Sequence, residues 1–208
     1  MVSYELDEPS MIWRVPVDER WGGHLLVLMH GAGGVEQDLA ASFPDLPQRV
    51  VTVAVRAPVP TNGRWSWATS TMGEAERFDP SVQVVSSWLD RLDGYASVGL
   101  LGFSQGAAVA LQLLRHFPHR FAYCVQLAGF VPSAAHAGDA ELAGLRPPVL
   151  SGRGEQDDVI PAALVQRTAH WLRGHTTLTE RRYSAIGHEV SGQIRPDVSA
   201  FVGGQLPA

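Results

Sequence analysis

Ser104 stands at the centre of Gly102-Phe103-Ser104-Gln105-Gly106, a G-x-S-x-G pattern. A serine hydroxyl can serve as a nucleophile when a sharp strand-to-helix turn presents it at the end of the strand. Such a turn leaves no room for side chains two residues to either side, and glycine occupies both places here. An apolar run, 98–103, precedes the serine, and an almost wholly apolar segment, 107–114, follows it. This is the strand–turn–helix setting that the chemistry needs. The alternative is a glycine-rich turn whose serine merely caps the next helix.

An attacking serine needs a base, usually a histidine that is itself held by a carboxylate. Six of the eight histidines follow Ser104. His116 and His119 flank the end of the apolar segment and fit an exposed helix C-terminus. His136 lies in an Ala/Gly/Pro-rich stretch, and His170 and His175 lie on or just after a helical pattern. His188, in "IGHEV", follows the last strand-like segment at a glycine turn. Catalysts gather at the carboxyl ends of strands in open α/β sheets, which favours His188 over a plain surface-turn reading. For the carboxylate, "GEQDDVIP" (154–161) offers Asp157 and Asp158 side by side, and residue types alone leave both open. "HGAGG" (30–34) follows another apolar run, and its glycines allow close backbone approach to a ligand. If Ser104 attacks a carbonyl, the backbone N–H groups of Ala32 and Gln105 are the expected oxyanion donors. A phosphate loop is the competing reading, but neither G-x-x-x-x-G-K-[ST] nor G-x-G-x-x-G occurs at this place. His30 reads as a residue that shapes the loop. Trp65, Trp67 and Phe130, near strand ends, and Ile160, in the acid stretch, are candidates for a substrate pocket. Core packing is the alternative for the aromatics. No H-x-x-x-H or H-E-x-x-H pattern exists and there is one cysteine, Cys124, so no metal site is expected.

The elements that must position these residues follow from hydrophobic patterning. Apolar runs at 25–29, 50–55, 98–103, 121–127 and 148–150 read as buried parallel strands, with a more polar sixth at 177–183. Between them Val82, Val85, Trp88, Leu89 and Leu92 recur at helical steps, as do Leu164, Thr168, Trp171 and Leu172. The segment 107–114 should be a buried central helix that Pro118 terminates. A last helical pattern (Val190, Ile194, Val198, Phe201) is interrupted by Pro196 and is expected to be split. The stretch 130–146 reads as a surface excursion. Alternating strands and helices imply an α/β fold with a mainly parallel sheet.

The chain has 208 residues, 45% of them hydrophobic and 18% charged, with a net charge of −5. This is a globular profile with no linker, so one domain spanning 1–208 is expected. The acidic balance argues against a nucleic-acid binder. No run of about 18 apolar residues is present, so no membrane span is expected. The N-terminal residues are acidic where a signal peptide is basic, and a lone cysteine suits a reducing compartment, so a cytoplasmic location is expected.

Taken together, four motifs resemble the phospholipase/carboxylesterase family of serine α/β-hydrolases, a family that includes acyl-protein thioesterases and small bacterial carboxylesterases. "HGAGGVEQDL" (30–39) resembles its oxyanion loop, "LGFSQGAAVAL" (101–111) its nucleophile elbow, "GEQDDVIP" its acid loop and "GHE" (187–189) its histidine turn. "NGRWSW" (62–67) is a weaker echo of a segment near the substrate. The resemblance runs from about Leu25 to the C-terminus. It implies an α/β-hydrolase fold, helices on both faces of the sheet, and a Ser104–Asp157–His188 triad. In that alignment Asp157 matches the family acid, four residues before Pro161, and Asp158 falls where the family tolerates proline. The implied function is a serine carboxylesterase acting on small carboxylic esters through an acyl-enzyme, with no cofactor. Lysophospholipase or acyl-thioesterase activity at the same site is the alternative, and a non-catalytic ligand-binding protein on this scaffold is the third reading. The partner implied is a small-molecule ester, with a homodimer left open.

Overall fold

The computed structural model describes residues 4–20, 22–69, 77–132 and 135–207. Its centre is a seven-stranded sheet, ordered β1-β3-β2-β6-β7-β8-β9. The strands are β1 (Ile12–Trp13), β2 (His24–Met29), β3 (Val50–Val55), β6 (Ser97–Phe103), β7 (Tyr123–Leu127), β8 (Pro148–Gly154) and β9 (Thr177–Tyr183). All neighbours run parallel except β1, which pairs antiparallel with β3. β4 (Val59–Thr61) and β5 (Arg64–Ser66) form a separate small hairpin. The helices are α1 (Glu36–Ala40), α2 (Asp79–Leu89), α3 (Gln105–His116), α4 (Asp139–Leu145), α5 (Ala162–His175) and α6 (Arg195–Gly204).

Strand β2 shows why its run is continuously apolar. Leu25, Val27 and Met29 pack into a core with Val82, Val85 and Trp88 of α2, Trp171 of α5 and the body of α3. Leu26 and Leu28 face the opposite core, with Leu39 of α1 and Val198 and Val202 of α6. Both faces of the sheet are covered, so the two-residue alternation carries no polar member. The expected parallel sheet with helices on both faces is the one observed.

The strand order places the site. From β2 the chain moves outward to β3, then returns to place β6 on the other side of β2. The loops leaving the carboxyl ends of β2 and β6 therefore diverge, opening a crevice at a topological switch point. The loop 30–34 and Ser104 lie at those two ends.

Three expectations need correction. Pro196 does not split the last helix; it occupies the first turn of α6, where a missing N–H costs nothing, and Val190 lies outside the helix. The stretch 130–146 is more than a surface excursion. Phe130 and Val131 are buried, and α4 is tied to α3 by a bidentate pair between Arg115, itself 1% exposed, and Asp139 at 2.8 and 2.7 Å. Residues 133 and 134 of that stretch lie outside the described residues. His116 is not a free C-terminal histidine: its ring lies 4.3 Å from that of His136, tilted by 39°, and faces Asp79 at 3.3 Å. Among the described residues no helix is long and apolar enough to cross a membrane.

Candidate active site

Ser104 lies between the end of β6 and the first residue of α3, with φ 54° and ψ −117°. A non-glycine residue there carries backbone strain of about 1–3 kcal/mol, which only a tightly determined turn sustains. The two glycines make the turn. A Cβ on Gly102 would stand 2.3 Å from the Gly106 carbonyl oxygen, and one on Gly106 would stand 2.1 Å from the Met29 carbonyl oxygen. The elbow is thus pressed against itself and against the end of β2.

The hydroxyl of Ser104 donates to His188 Nε2 at 2.9 Å, and His188 Nδ1–H donates to Asp157 Oδ2 at 2.9 Å. These residues come from the ends of β6, β8 and β9, and Ser104 and His188 are 84 positions apart. The structure brings together the three residues that the sequence singled out. It also separates the two aspartates. The Asp157 side chain is 0% exposed, while Asp158 is exposed. Asp157 Oδ1 accepts the N–H groups of Val159 (3.0 Å) and Ile160 (3.3 Å). Arg153 Nη2 donates to the Asp157 carbonyl at 3.0 Å and lies 3.3 Å from Oδ2. A buried carboxylate is expensive unless every lone pair is satisfied, and here the turn and Arg153 satisfy those His188 does not use. Burial pulls the Arg153 guanidinium below its usual range, opposed by Asp157 and reinforced by Arg182. Phe103 packs on the His188 ring with centroids 4.9 Å apart, fixing the ring plane from the side.

The loop 30–34 runs beside the serine. A Cβ on Gly31 would lie 3.4 Å from Ser104 Cβ. Ala32 is exposed on that loop, and Gln105 begins α3 at the positive end of its dipole. The loop is braced from behind by the β4–β5 hairpin. Trp65 N–H donates to the Gly34 carbonyl (3.2 Å), Gly33 N–H to Ser66 Oγ (3.0 Å) and the Trp67 indole N–H to the His30 carbonyl (2.7 Å). The Gln105 side chain accepts the Trp67 backbone N–H at 2.9 Å. Beyond the loop, Glu36 is 1% exposed and clamped by Arg56 at 2.8 and 2.6 Å, an interaction that holds its carboxyl below the usual range.

Three pocket expectations are corrected. Trp67 is 0% and Phe130 1% exposed, so neither lines open space; Trp67 braces the loop, and Phe130 packs edge-on against Phe78. Ile160 borders a groove of about 570 Å³ with Arg153, Val165, Arg173 and Arg182, which lies behind the acid and includes neither Ser104 nor His188. Trp65 is half-buried beneath the Arg56 guanidinium. A second cleft, of about 400 Å³, lies between the loop 30–34 and the turn 188–190 and is lined by His188 and Phe103. Sequence reasoning missed three supporting residues: Arg153, Phe103 and the Gln105 side chain. Phe103 and Gln105 are the variable positions of the serine motif, so that motif was the available signal for both. Nothing local marked Arg153. Among the described residues, no group of three or more His, Cys, Asp or Glu side chains is arranged to hold a metal ion.

His30 illustrates how burial sets a protonation state. It is 1% exposed, its Nε2 accepts the Ala57 N–H at 3.0 Å, and its Nδ1–H donates to the Gly31 carbonyl at 2.7 Å. An acceptor at Nε2 requires the neutral ring, and burial accordingly lowers its pKa from 6.5. Above that value both folded and unfolded chains hold the ring neutral. Below it the unfolded chain binds a proton that the folded chain does not, so stability falls as pH drops. Unfolding free energy measured by denaturant titration between about pH 7.5 and pH 5 should therefore show a shallower acid slope in His30→Gln than in the wild type. Equal slopes would remove His30 from this role.

Comparison with known proteins bears on this geometry. The chain is 27% identical over 177 residues to acyl-protein thioesterase 1 of Eremothecium gossypii, an alignment covering 80% of this chain and 74% of the relative. Its fold matches the carboxylesterase of Bacillus cereus with a TM-score of 0.78 at 20% identity, over 94% of each chain. It matches acyl-protein thioesterase 2 of Zea mays with a TM-score of 0.76 at 19% identity, over 95% of this chain and 99% of the other. The sheet order, the two covered faces and the strand-end loops are therefore those of the α/β-hydrolase fold. A family model matches residues 18–204, and the chain belongs to the phospholipase/carboxylesterase family.

Proposed function

We propose that this protein is a serine carboxylesterase that hydrolyses small carboxylic esters through an acyl-enzyme. The observation that carries the reading is the hydrogen-bonded chain from Ser104 through His188 to Asp157, with both links at 2.9 Å. In this mechanism His188 Nε2 takes the Ser104 proton as Oγ attacks the ester carbonyl. Negative charge gathers on the carbonyl oxygen, where the backbone N–H groups of Ala32 and Gln105 receive it. Asp157 holds the ring in the tautomer with Nδ1 protonated and stabilises the imidazolium. Collapse expels the alcohol, which takes the proton from Nε2 and leaves Ser104 acylated. Water then repeats the sequence, with His188 accepting its proton and returning one to Ser104 as the acid departs. Hydrolysis of a p-nitrophenyl ester should be abolished in His188→Ala and retained in His170→Ala and His175→Ala. Activity that survives His188→Ala and vanishes in either of the others would move the base elsewhere. Acyl-thioester hydrolysis at the same site is the second reading, favoured by the name of the Eremothecium gossypii relative. Matched ester and thioester substrates of one acyl chain separate the two.

A further inference from the structure

The hydrolase reading fixes where the leaving group must go, and this inference rests on that reading. His188 Nε2 receives the serine proton across 2.9 Å and must hand it to the departing oxygen or sulfur. The leaving group therefore projects on the His188 side of Ser104, while the oxyanion turns toward Ala32 and the start of α3. His188 itself lines the cleft of about 400 Å³, which runs between Phe103, the turn 188–190 and the loop 30–34, so the group that takes the proton from Nε2 can extend into it. That volume holds a small ligand group with room to spare.

Three charged side chains line this cleft: Asp38, Arg64 and Glu189. Asp38 and Arg64 occupy each other. Arg64 Nη2 lies 3.4 Å from Asp38 Oδ2, which also accepts the Val35 N–H at 2.9 Å. Glu189 is exposed and, among the described residues, makes no hydrogen bond or ion pair. One carboxylate of the cleft lining therefore has no ion-pair partner among the described residues, and it directly follows His188 in the chain.

We propose that this cleft is the leaving-group subsite and that Glu189 selects alcohols or thiols carrying a positive charge, such as quaternary or primary amino-alcohols. A cation a few ångströms from an exposed carboxylate gains an attraction worth about three- to tenfold in kcat/KM at low salt. The selection is expressed in the transition state as well as in binding, because the group stays in the cleft until the proton arrives.

The test uses the full chain and three acetate esters of similar size: choline, its uncharged isostere 3,3-dimethylbutanol, and 2-hydroxyethanesulfonate. The choline ester should lead the neutral ester by about three- to tenfold and the sulfonate should come last, with the spread shrinking in roughly 0.5 M salt. In Glu189→Gln the ratio of choline to neutral ester should fall to about one. Because the readout is a ratio within one protein, a general loss of activity does not disturb it. Equal rates for all three esters, or a choline preference that survives Glu189→Gln, would overturn the assignment of Glu189 while leaving the esterase reading intact. A lead for the sulfonate ester would also overturn it and would give the cleft to Arg64. Hydrolysis of none of the three would overturn both readings together.

Discussion

Asp157→Asn is expected to lower kcat by roughly 10⁴ and Asp158→Asn to leave it within about twofold. The two carboxylates are neighbours in sequence with opposite surroundings. The Asp157 side chain is enclosed and takes the Nδ1–H of His188 at 2.9 Å. An asparagine in its place keeps the shape. Its Oδ1 can retain the N–H groups of Val159 and Ile160, which leaves an NH₂ facing His188 where an acceptor is needed. The imidazole then prefers the tautomer that offers Nδ1 as acceptor and puts its proton on Nε2, where it cannot take one from Ser104. The imidazolium formed during attack also loses its counter-charge, and Arg153 loses the carboxylate beside it. Asp158 faces solvent ahead of α5, and its exchange for asparagine should cost only a few tenths of a kcal/mol in stability. Steady-state kinetics on one ester settles the comparison. Severe and equal losses in both variants would mean that the pair acts as a unit, and a severe loss at Asp158 alone would put the acid one residue later.

Ser104→Ala is expected to eliminate hydrolysis and covalent labelling by a fluorophosphonate, because among the described residues Ser104 is the hydroxyl hydrogen-bonded to His188. Residual turnover should come only from binding and the oxyanion donors. The variant should remain folded, since alanine loses one hydrogen bond and keeps the packing of the elbow. It also keeps the strain, as φ of 54° disfavours any residue with a Cβ. Ser104→Gly relieves that strain and should be inactive yet more stable than Ser104→Ala. Thermal unfolding, labelling and ester turnover measured on the same preparations separate these effects. Folded Ser104→Ala protein with wild-type turnover would end the serine-hydrolase reading.

The parts legible from sequence were those governed by local constraint. Strands β2, β3, β6, β7, β8 and β9 are covered on both faces or pinned by turn residues, so their apolar runs or ends are visible without a partner. The elbow is visible for a similar reason, since its two glycines answer to clashes within five residues. Most of what escaped depends on distant partners. Strand β1 is two residues long and exists through its pairing with β3. The β4–β5 hairpin turns on Asn62 and Gly63, both at positive φ, but three-residue strands give too little alternation to register. Trp67 and Phe130 stand near strand ends where pockets form, yet whether such a side chain is covered depends on what packs over it. Arg115 sits where a helix end suggests solvent, and it is buried because α4 returns 24 positions later to supply Asp139. The pairing of Arg153 with Asp157 follows from the bend of the acid turn, which residue types do not reveal.

The scattering of the site along the chain has a consequence in time. The elbow is built from β6, α3, the end of β2 and, through the bond from the Ser104 N–H to the Leu127 carbonyl, the end of β7, so every part of it precedes β8 in the chain. The acid arrives with β8, and the base arrives last, beyond β9. Until His188 has left the ribosome and β9 has joined the sheet, the chain carries a positioned hydroxyl with nothing to deprotonate it. Under the proposed mechanism a growing chain would be silent toward esters, and activity would begin only when the far edge of the sheet closes.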